Sequence, residues 1–394
     1  MNSSRKIIVF QWAQLVALTG VHCIVDLFSA IPPPILPAIR AEFILSVESG
    51  VIILCVHLLA CNSVQVLSGH MRSEKRRPLF MYIGLFMATA ICLLAVLPRE
   101  AGGFELMILL AVVSGSGIAI AHPEGLRGIH SLGQIPAATS TAVFMAGGFI
   151  GYAVGGWLPT ILVSGFGLRG LYWLLLCPLV GVLLIVFLRI RLAVEPKTRG
   201  TNESQVKGKR PAFWPIMVMA VPAAVSTTIV ASLMPTRLEE LGFELTFGGF
   251  SAMMFGAGGA LGSFVWAWVA HKKSELGCAI AGMVLSPVLL LLYLMLIGNR
   301  AAVWVFFGVG FNAISSYILM ITMARGATGP NLGQRMGLIV GGSWAVANVV
   351  LMIVVHFFSV KALLKIAPIG YLISGIVGVF IMYRNTRAGT EELQ

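Results

Sequence analysis

Twelve apolar runs, each long enough to cross a lipid bilayer, constrain this chain more than any other feature of its sequence. A spanning helix needs about 20 consecutive apolar residues, because every backbone polar group must find its partner inside the helix where water is absent. Of the 394 residues, 58% are apolar and 11% are charged, whereas soluble domains carry about 25% charged residues. The sequence therefore predicts an all-α integral membrane protein with twelve transmembrane helices. We place them near residues 8–36, 47–69, 79–98, 105–130, 136–163, 169–190, 212–235, 246–270, 276–298, 301–326, 335–358 and 362–383.

Lysine and arginine are distributed unevenly between the two sets of alternate loops. The termini and the loops on their side hold 20 of these residues, and the opposite loops hold seven. Because cytoplasmic loops carry the excess of basic residues, this predicts that both termini are cytoplasmic, in a bacterial-type inner membrane. The net charge of +12 falls in these loops and not on one basic face, so we expect no nucleic-acid partner.

The longest polar stretch, residues 191–211, follows the sixth apolar run. We interpret it as a basic cytoplasmic linker between an N-terminal six-helix bundle, residues 1–190, and a C-terminal six-helix bundle, residues 212–394. The tetrapeptide at 131–134, Ser-Leu-Gly-Gln, recurs as Asn-Leu-Gly-Gln at 331–334. Duplicated six-span halves predict two pseudo-symmetric bundles and a transport site between them.

Asp26 is the single aspartate of the chain and lies within the first apolar run. A carboxylate at the bilayer centre costs about 2.5–3.5 kcal/mol on insertion scales, so its presence there indicates a function. His22 precedes it by one helical turn and lies on the same face. We predict that this pair binds and releases protons as a cavity opens to each side; the alternative is a permanently protonated carboxyl that joins two helices.

The fourth apolar run contains His122-Pro123-Glu124, followed by Arg127. Pro123 cannot donate to the carbonyl four residues earlier, so that oxygen is free for a side chain, water or ligand, and we predict a gating role for the proline. Glu124 with His122 is predicted to be a second, inner proton-coupling pair. Alternatively, Glu124 and Arg127 merely neutralise each other, since they are three residues apart.

Other polar residues in the apolar runs either join helices or line an aqueous path. His57 could equally be a hydrogen-bonded core residue. Arg325 is the best cation of the second half for an anionic substrate or an ion pair between the halves. The residues predicted to line the substrate pathway are Arg127, Arg325, His57, Asn62, Gln65, Asn312 and Asn348.

Motifs for nucleotide binding or catalysis are missing from the sequence, and the six cysteines form no Cys-x-x-Cys pair. We therefore expect no enzyme activity, no cofactor and no metal site. The expected partners are a small-molecule substrate, protons and the lipid bilayer, without an obligatory protein partner.

These motifs resemble the major facilitator superfamily, and specifically its fosmidomycin-resistance-like branch. The resemblance implies the major facilitator fold, alternating access by rocking of two six-helix bundles, and proton-driven export of small molecules, including an anionic phosphonate antibiotic in some members. It is carried by His22 with Asp26, Gly115 through His122-Pro123-Glu124, Gly147-Gly148, Gly151, Gly155 and Gly329-Pro330-Asn331.

Two departures from the superfamily pattern concern gating and direction. In the loop after the second run, Ser73 stands where the superfamily has aspartate, which weakens the cytoplasmic latch, although Glu74 could replace it. Gly155-Gly156 stands where antiporters of the superfamily have Gly-Pro. The missing proline weakens the case for antiport over symport. The residues of this loop that we predict to act in gating are Arg72, Glu74, Arg76 and Arg77.

The leading functional prediction is export of a small anionic or amphipathic compound in exchange for protons. A proton-coupled importer of an organic anion or nutrient would use the same scaffold. A membrane-embedded enzyme or a sensor is the remote alternative, because it would need a catalytic motif or a soluble domain.

Overall fold

The computed structural model describes residues 3–71, 74–100, 102–194, 211–330 and 332–391. These residues are almost entirely helical, and their single isolated β-bridge joins Ala212 to Thr328. The chain is therefore all-α, as the sequence predicts.

Twelve helical spans can be followed through the described residues, one for each predicted apolar run. Several are composite, because prolines or short 3₁₀ and π segments interrupt the α-helix. In chain order they are span 1, Ser3–Ala30 continued by Pro32–Phe43; span 2, Val47–Met71; span 3, Leu79–Ala88 continued by Thr89–Val96; span 4, Gly103–His130; span 5, Ala137–Phe166; span 6, Gly167–Leu176 continued by Cys177–Phe187; span 7, Phe213–Glu240; span 8, Leu245–Lys272; span 9, Glu275–Leu296; span 10, Arg300–Ala302 continued by Val303–Gly326; span 11, Leu332–Met336, Gly337–Gly342 and Ser343–Val354; and span 12, Val360–Glu391.

Spans 5 and 6 form one uninterrupted apolar stretch, Thr139–Phe187, of 49 residues. A single helix of that length would be about 70 Å long, more than twice the thickness of the hydrocarbon core. Gly167, at φ 62° and ψ −165°, breaks it where span 5 ends. A Cβ at Gly170 would collide with the carbonyl oxygen of Leu162, so the two segments pack closely side by side. The 11 apolar helical stretches therefore contain twelve spans.

Two hydrophobic clusters form the interior. One is built from spans 1 to 6, around residues such as Leu18, Phe28 and Leu85. The other is built from spans 7 to 12 and also includes Leu36 of span 1 and Leu54 of span 2. The second cluster therefore continues across the boundary between the two halves of the chain.

Contacts between the halves lie at the ends of the spans remote from the two chain termini. We call this side the opposite face, and the side of Ser3 and Glu391 the terminal face. At the opposite face, the Pro32–Phe43 segment packs on span 7, span 5 packs on span 8, and span 2 packs on Ser343–Val354. These three contacts close the molecule on that side.

Span 5 approaches span 1 through the small residues that the sequence identified as a packing face. Cβ atoms at Gly147, Gly151 and Gly155 would collide with successive backbone carbonyls of span 1. Only glycine permits so short a distance between helix backbones. The contact fixes the rotation of span 1, and with it the direction in which Asp26 points.

Ion pairs at the opposite face occur at equivalent places in the two halves. Arg99, after span 3, pairs with Glu42 at the end of span 1. Arg300, after span 9, pairs with Glu244 after span 7. Each residue of the second pair follows its counterpart by about 200 positions, the same offset as the repeated tetrapeptide, which supports an internal duplication.

Candidate functional site

A central cavity of about 320 Å³ lies between the two halves at mid-depth. Spans 1, 2, 5, 7, 8, 10 and 11 contribute its walls. Its volume is within the range of small-molecule sites, about 300–1,000 Å³. The lining residues are Asp26, Ser29, Pro33, Leu58, Cys61, Asn62, Gly148, Phe149, Tyr152, Thr227, Thr228, Ala231, Ser232, Phe255, Gly256, Ile314, Tyr317, Val340, Trp344 and Asn348.

Asp26 is held by two histidines, one from its own helix and one from span 4. Its Oδ2 lies 3.2 Å from Nε2 of His22, and its Oδ1 lies 2.9 Å from Nε2 of His122. We call these three residues the His–Asp–His unit. The sequence predicted the contact with His22, whereas the contact with His122 is a result of the tertiary structure.

The second nitrogen of each histidine is bound to a backbone carbonyl. Nδ1 of His22 lies 2.8 Å from the oxygen of Phe144, and Nδ1 of His122 lies 2.8 Å from that of Ile118. A carbonyl can only accept, so both Nδ1 atoms carry a proton, and Nε2 must carry a second one to donate to Asp26. The unit therefore has a net charge of +1 with both rings charged and −1 with both neutral.

The surroundings of the unit are tightly packed. The Phe144 ring stacks on His22 at 4.1 Å between centroids, and the His22 side chain is 5% exposed. A Cβ at Gly148 would collide with Asp26 Oδ2 and with the His22 ring. Span 5 therefore fixes the position of the unit through the Phe144 ring and through Gly148, whose lack of a side chain leaves room for Asp26 and His22.

The ligand atoms of the three residues lie within 4.8 Å of one another, a spacing that one divalent metal ion would also accept. Both Nε2 atoms point at carboxylate oxygens at hydrogen-bonding distance, however. An arrangement of this kind can also share protons among the three side chains.

Glu124 and Arg127 lie away from the cavity lining and bind backbone groups near the terminal face. Glu124 is 2% exposed, and its Oε2 accepts from the backbone N–H of Met81, at 3.0 Å. Arg127 donates to the carbonyl oxygens of Lys75, at 2.6 Å, and Ala193, at 2.8 Å. The predicted inner pair of Glu124 with His122 is thus divided, because His122 turns to Asp26 while Glu124 faces the start of span 3.

The predicted gating residues lie around the loop between spans 2 and 3. The carbonyl freed by Pro123, that of Ala119, accepts from the Ser68 hydroxyl at 3.3 Å, as expected for an acceptor without its helical partner. Arg76 accepts from the backbone N–H of Leu192 at 2.9 Å, which ties this loop to the segment after span 6. Arg72 lies outside the described residues, and Glu74, Arg76 and Arg77 are exposed.

Of the seven residues predicted to line the substrate pathway, Asn62 and Asn348 line the cavity. Arg325 is exposed at the end of span 10, where its backbone oxygen accepts from Arg335. His57 is fully buried. The residues of that prediction that are not in the lining are Arg127, Arg325, His57, Gln65 and Asn312.

An aromatic wall in the second half was missed by sequence reasoning. Tyr317 and Trp344 meet edge to face at 5.0 Å between centroids. The Tyr317 hydroxyl donates to the carbonyl of Ile339 at 2.5 Å, inside the π-helical segment Gly337–Gly342. The glycine-rich start of span 11 was a signal for irregular backbone, since π segments are frequent at functional sites.

Comparisons with known proteins agree with this architecture. The family model described as Major Facilitator Superfamily matches residues 18–352. Peptide transporter POT in complex with sulfate has a similar structure, with a TM-score of 0.70, 14% identity, and coverage of 96% of this chain and 95% of that one. Nucleoside transporter NupG gives a TM-score of 0.66 at 13% identity, covering 94% of this chain and 99% of that one.

A curated relative is the fosmidomycin resistance protein of Escherichia coli (strain K12), 25% identical over 177 residues. The match covers 43% of this chain and 41% of the relative's length, so it spans about two fifths of each protein. It agrees with the branch indicated by the motifs of the first, fourth and fifth spans. With twelve apolar spans around a central cavity and a superfamily match over most of its length, the chain belongs to the Major Facilitator Superfamily.

Proposed function

We propose that this transporter exports a small amphipathic compound in exchange for protons, which bind at the His–Asp–His unit. The observation that carries the proposal is the position of Asp26. Its carboxylate lines the cavity between the halves, and both of its oxygens are bound by histidines.

Proton binding can be coupled to a change of conformation because the hydration of the unit differs when the cavity opens to one face or the other. A group whose surroundings differ between two conformations binds protons with different affinity in each, and its occupancy biases the equilibrium between them. The unit lies beside the span 1 and span 5 contact, and span 5 also packs on span 8 of the other half. A change in the charge of the unit therefore acts on the contact between the two halves.

Few other titratable groups face the unit. Those that interact electrostatically with Asp26 are Cys23 of the same span, Cys61 of span 2 and Tyr152 of span 5. Thiol and phenol groups are uncharged at neutral pH. The histidines are thus the natural proton carriers near pH 7.

Glu124 and Arg127 contribute to gating in this proposal, not to proton transfer in the cavity. Glu124 binds the start of span 3, and Arg127 binds the loop between spans 2 and 3 and the segment after span 6. Because the contacts between the halves lie at the opposite face, closing of the cavity to the terminal face would have to bring these segments of the first half against the second half. With both termini in the cytoplasm, this is the side from which an exporter takes its substrate.

The curated relative is named a resistance protein, and this name supports export as the direction of transport. Fosmidomycin is therefore one of the compounds to test first. Cells that express the chain, or an Asp26→Asn variant at the same level, would be compared for resistance to fosmidomycin and a panel of amphipathic compounds.

The coupling itself is tested in everted vesicles that hold an acidic interior. A compound that the wild type exports should release protons from the vesicles, and the Asp26→Asn variant should give no release. Glu100→Gln, which changes an exposed carboxylate outside the spans, is the matched control and should behave as wild type. Wild-type proton release by Asp26→Asn would refute the assignment of the unit.

A further inference from the structure

The polar lining of the cavity includes two asparagine side chains, Asn62 and Asn348. Asn62 donates its amide to the carbonyl of Leu58 at 2.8 Å, and Asn348 donates its amide to that of Trp344 at 2.8 Å. Because a carbonyl accepts only from the nitrogen of an amide, these two bonds leave the oxygens of both side chains unused.

Asn348 and Thr228 are the strongest indications that a ligand completes this site. Asn348 is 1% exposed and Thr228 is 3% exposed. Their Oδ1 and Oγ1 atoms are buried without a hydrogen-bond partner in the described structure, although both residues line the cavity. A buried polar atom without a partner costs about 1–3 kcal/mol, so such atoms are usually satisfied by a bound molecule or water.

Charge in the cavity comes from the first half alone. Asp26 is the one carboxylic acid among the lining residues that the structure describes, and neither lysine nor arginine is among them. With both histidines neutral, the unit has a charge of −1. The cavity then offers a cation a carboxylate and several oxygen acceptors, while it offers an anion neutral N–H and O–H donors and no lysine or arginine.

Aromatic side chains surround the rest of the volume. Phe149, Tyr152 and Phe255 line it together with Tyr317 and Trp344. Aromatic faces attract organic cations and stack on flat rings. These faces match a substrate that has an aromatic body as well as a positive group.

We infer that the cavity binds an aromatic organic ammonium compound, with its N–H groups directed at Asp26 and the oxygens of Asn348 and Thr228. This inference rests on the proposed proton exchange, and it narrows the substrate class to one that the resemblance, which implies anionic compounds, does not indicate. The charge of the His–Asp–His unit links ammonium binding to proton binding. An ammonium group binds well when the unit has lost its protons and is repelled when the unit is +1, so substrate and protons exclude each other, as exchange requires.

Three compounds that share a naphthalene ring and differ in charge test this inference. They are 1-naphthylmethylammonium, 1-naphthylmethanol and the acetate, which is the anion of 1-naphthaleneacetic acid. Their binding to the purified full chain would be measured by equilibrium dialysis in neutral detergent at pH 8. We expect the ammonium to bind about tenfold more tightly than the alcohol, and the acetate more weakly than either. Equal or tighter binding of the acetate, or binding of the ammonium no stronger than to empty micelles, would overturn the inference.

Variants identify the groups responsible. Asp26→Asn should remove the preference for the ammonium over the alcohol, and Asn348→Leu should weaken ammonium binding about fivefold. Asn312→Leu is the matched control, because Asn312 donates to the carbonyl of Gly308 in the same way but is not in the lining; it should bind as wild type. The preference of the wild type decides the question even if a variant does not fold.

Proton release in weak buffer separates this inference from the proposed function. Ammonium binding that releases protons supports both the inferred substrate class and the proposed proton coupling. Ammonium preference without proton release keeps the substrate class and contradicts the coupling. Acetate preference with proton uptake contradicts the substrate class but keeps the unit as a proton site, now of a symporter.

Discussion

Nε2 of His122 lies 2.9 Å from Oδ1 of Asp26, although 96 positions separate the two residues. This contact turns a local pair on span 1 into a unit with two histidines, and it joins spans 1 and 4. Since His122 is anchored through Nδ1 to its own helix, it can receive or lose a proton at Nε2 without leaving its place. The predictions below follow from this arrangement and from its neighbours.

Replacement of His122 by glutamine should change the number of protons that move with each substrate. Glutamine can still donate to Asp26, but it cannot titrate, so we expect one proton fewer per transport cycle. The ratio would be measured from proton and substrate fluxes in proteoliposomes. His57→Gln is the control, because His57 is buried away from the cavity lining; an unchanged ratio in His122→Gln would contradict the role of the second histidine.

Gly148→Ala should abolish transport while the protein remains folded. The added methyl group would collide with Asp26 Oδ2 and the His22 ring, whereas alanine favours the helix by up to about 1 kcal/mol. Proton-driven flux and the melting temperature would both be measured. Gly165→Ala, near the end of the same span with open space around its Cα, should keep wild-type flux, and full activity of Gly148→Ala would show that the unit tolerates displacement.

Tyr317→Phe should lower transport more than stability. The change removes the hydroxyl that binds the Ile339 carbonyl and the Ser343 hydroxyl at the π segment, and leaves Ser343 as the partner of that carbonyl. The loss of one hydrogen bond costs about 1 kcal/mol. Tyr293→Phe provides the comparison, because this buried tyrosine stacks on Phe306 outside the lining. Similar melting temperatures with reduced flux only in Tyr317→Phe are expected, and equal flux in the two variants would argue against a role for the π segment.

Glu244→Gln should have an effect on stability that depends on pH. The hydrogen bond from Arg300 lowers the pKa of Glu244 below its usual value of 4.5. A lowered pKa in the folded state contributes stability above the unfolded pKa, and this is lost as the pH falls through the folded value. The difference in melting temperature between wild type and variant should therefore be small at pH 7, since the pair is exposed, and disappear as the pH falls through the folded-state pKa of Glu244. A difference that grows on acidification would contradict the assignment; Glu100→Gln should show neither effect.

Much of the architecture could be predicted from sequence because it depends on local properties. The apolar runs determine the number of spans, and a polar residue in such a run must find a partner or a cavity. The pairing of His22 with Asp26 follows from helical spacing alone. The glycine face of span 5 was also recognisable, since three small residues at four-residue spacing permit close helix contact.

The residues that belong to the site could not be predicted in the same way. In a helix that is apolar on all sides, periodicity does not distinguish the face toward lipid from the face toward the protein, so rotation about the helix axis remains undetermined. That rotation decides that His122 meets Asp26 while Glu124 turns away, and that Asn348 lines the cavity while Asn312 and Arg325 do not. The sequence by itself determined twelve spans and the depth of each polar group in the membrane, because both depend on the order of residues along one helix. Only the tertiary structure decided which of those groups share a cavity, because close packing between distant spans sets the rotation of each helix.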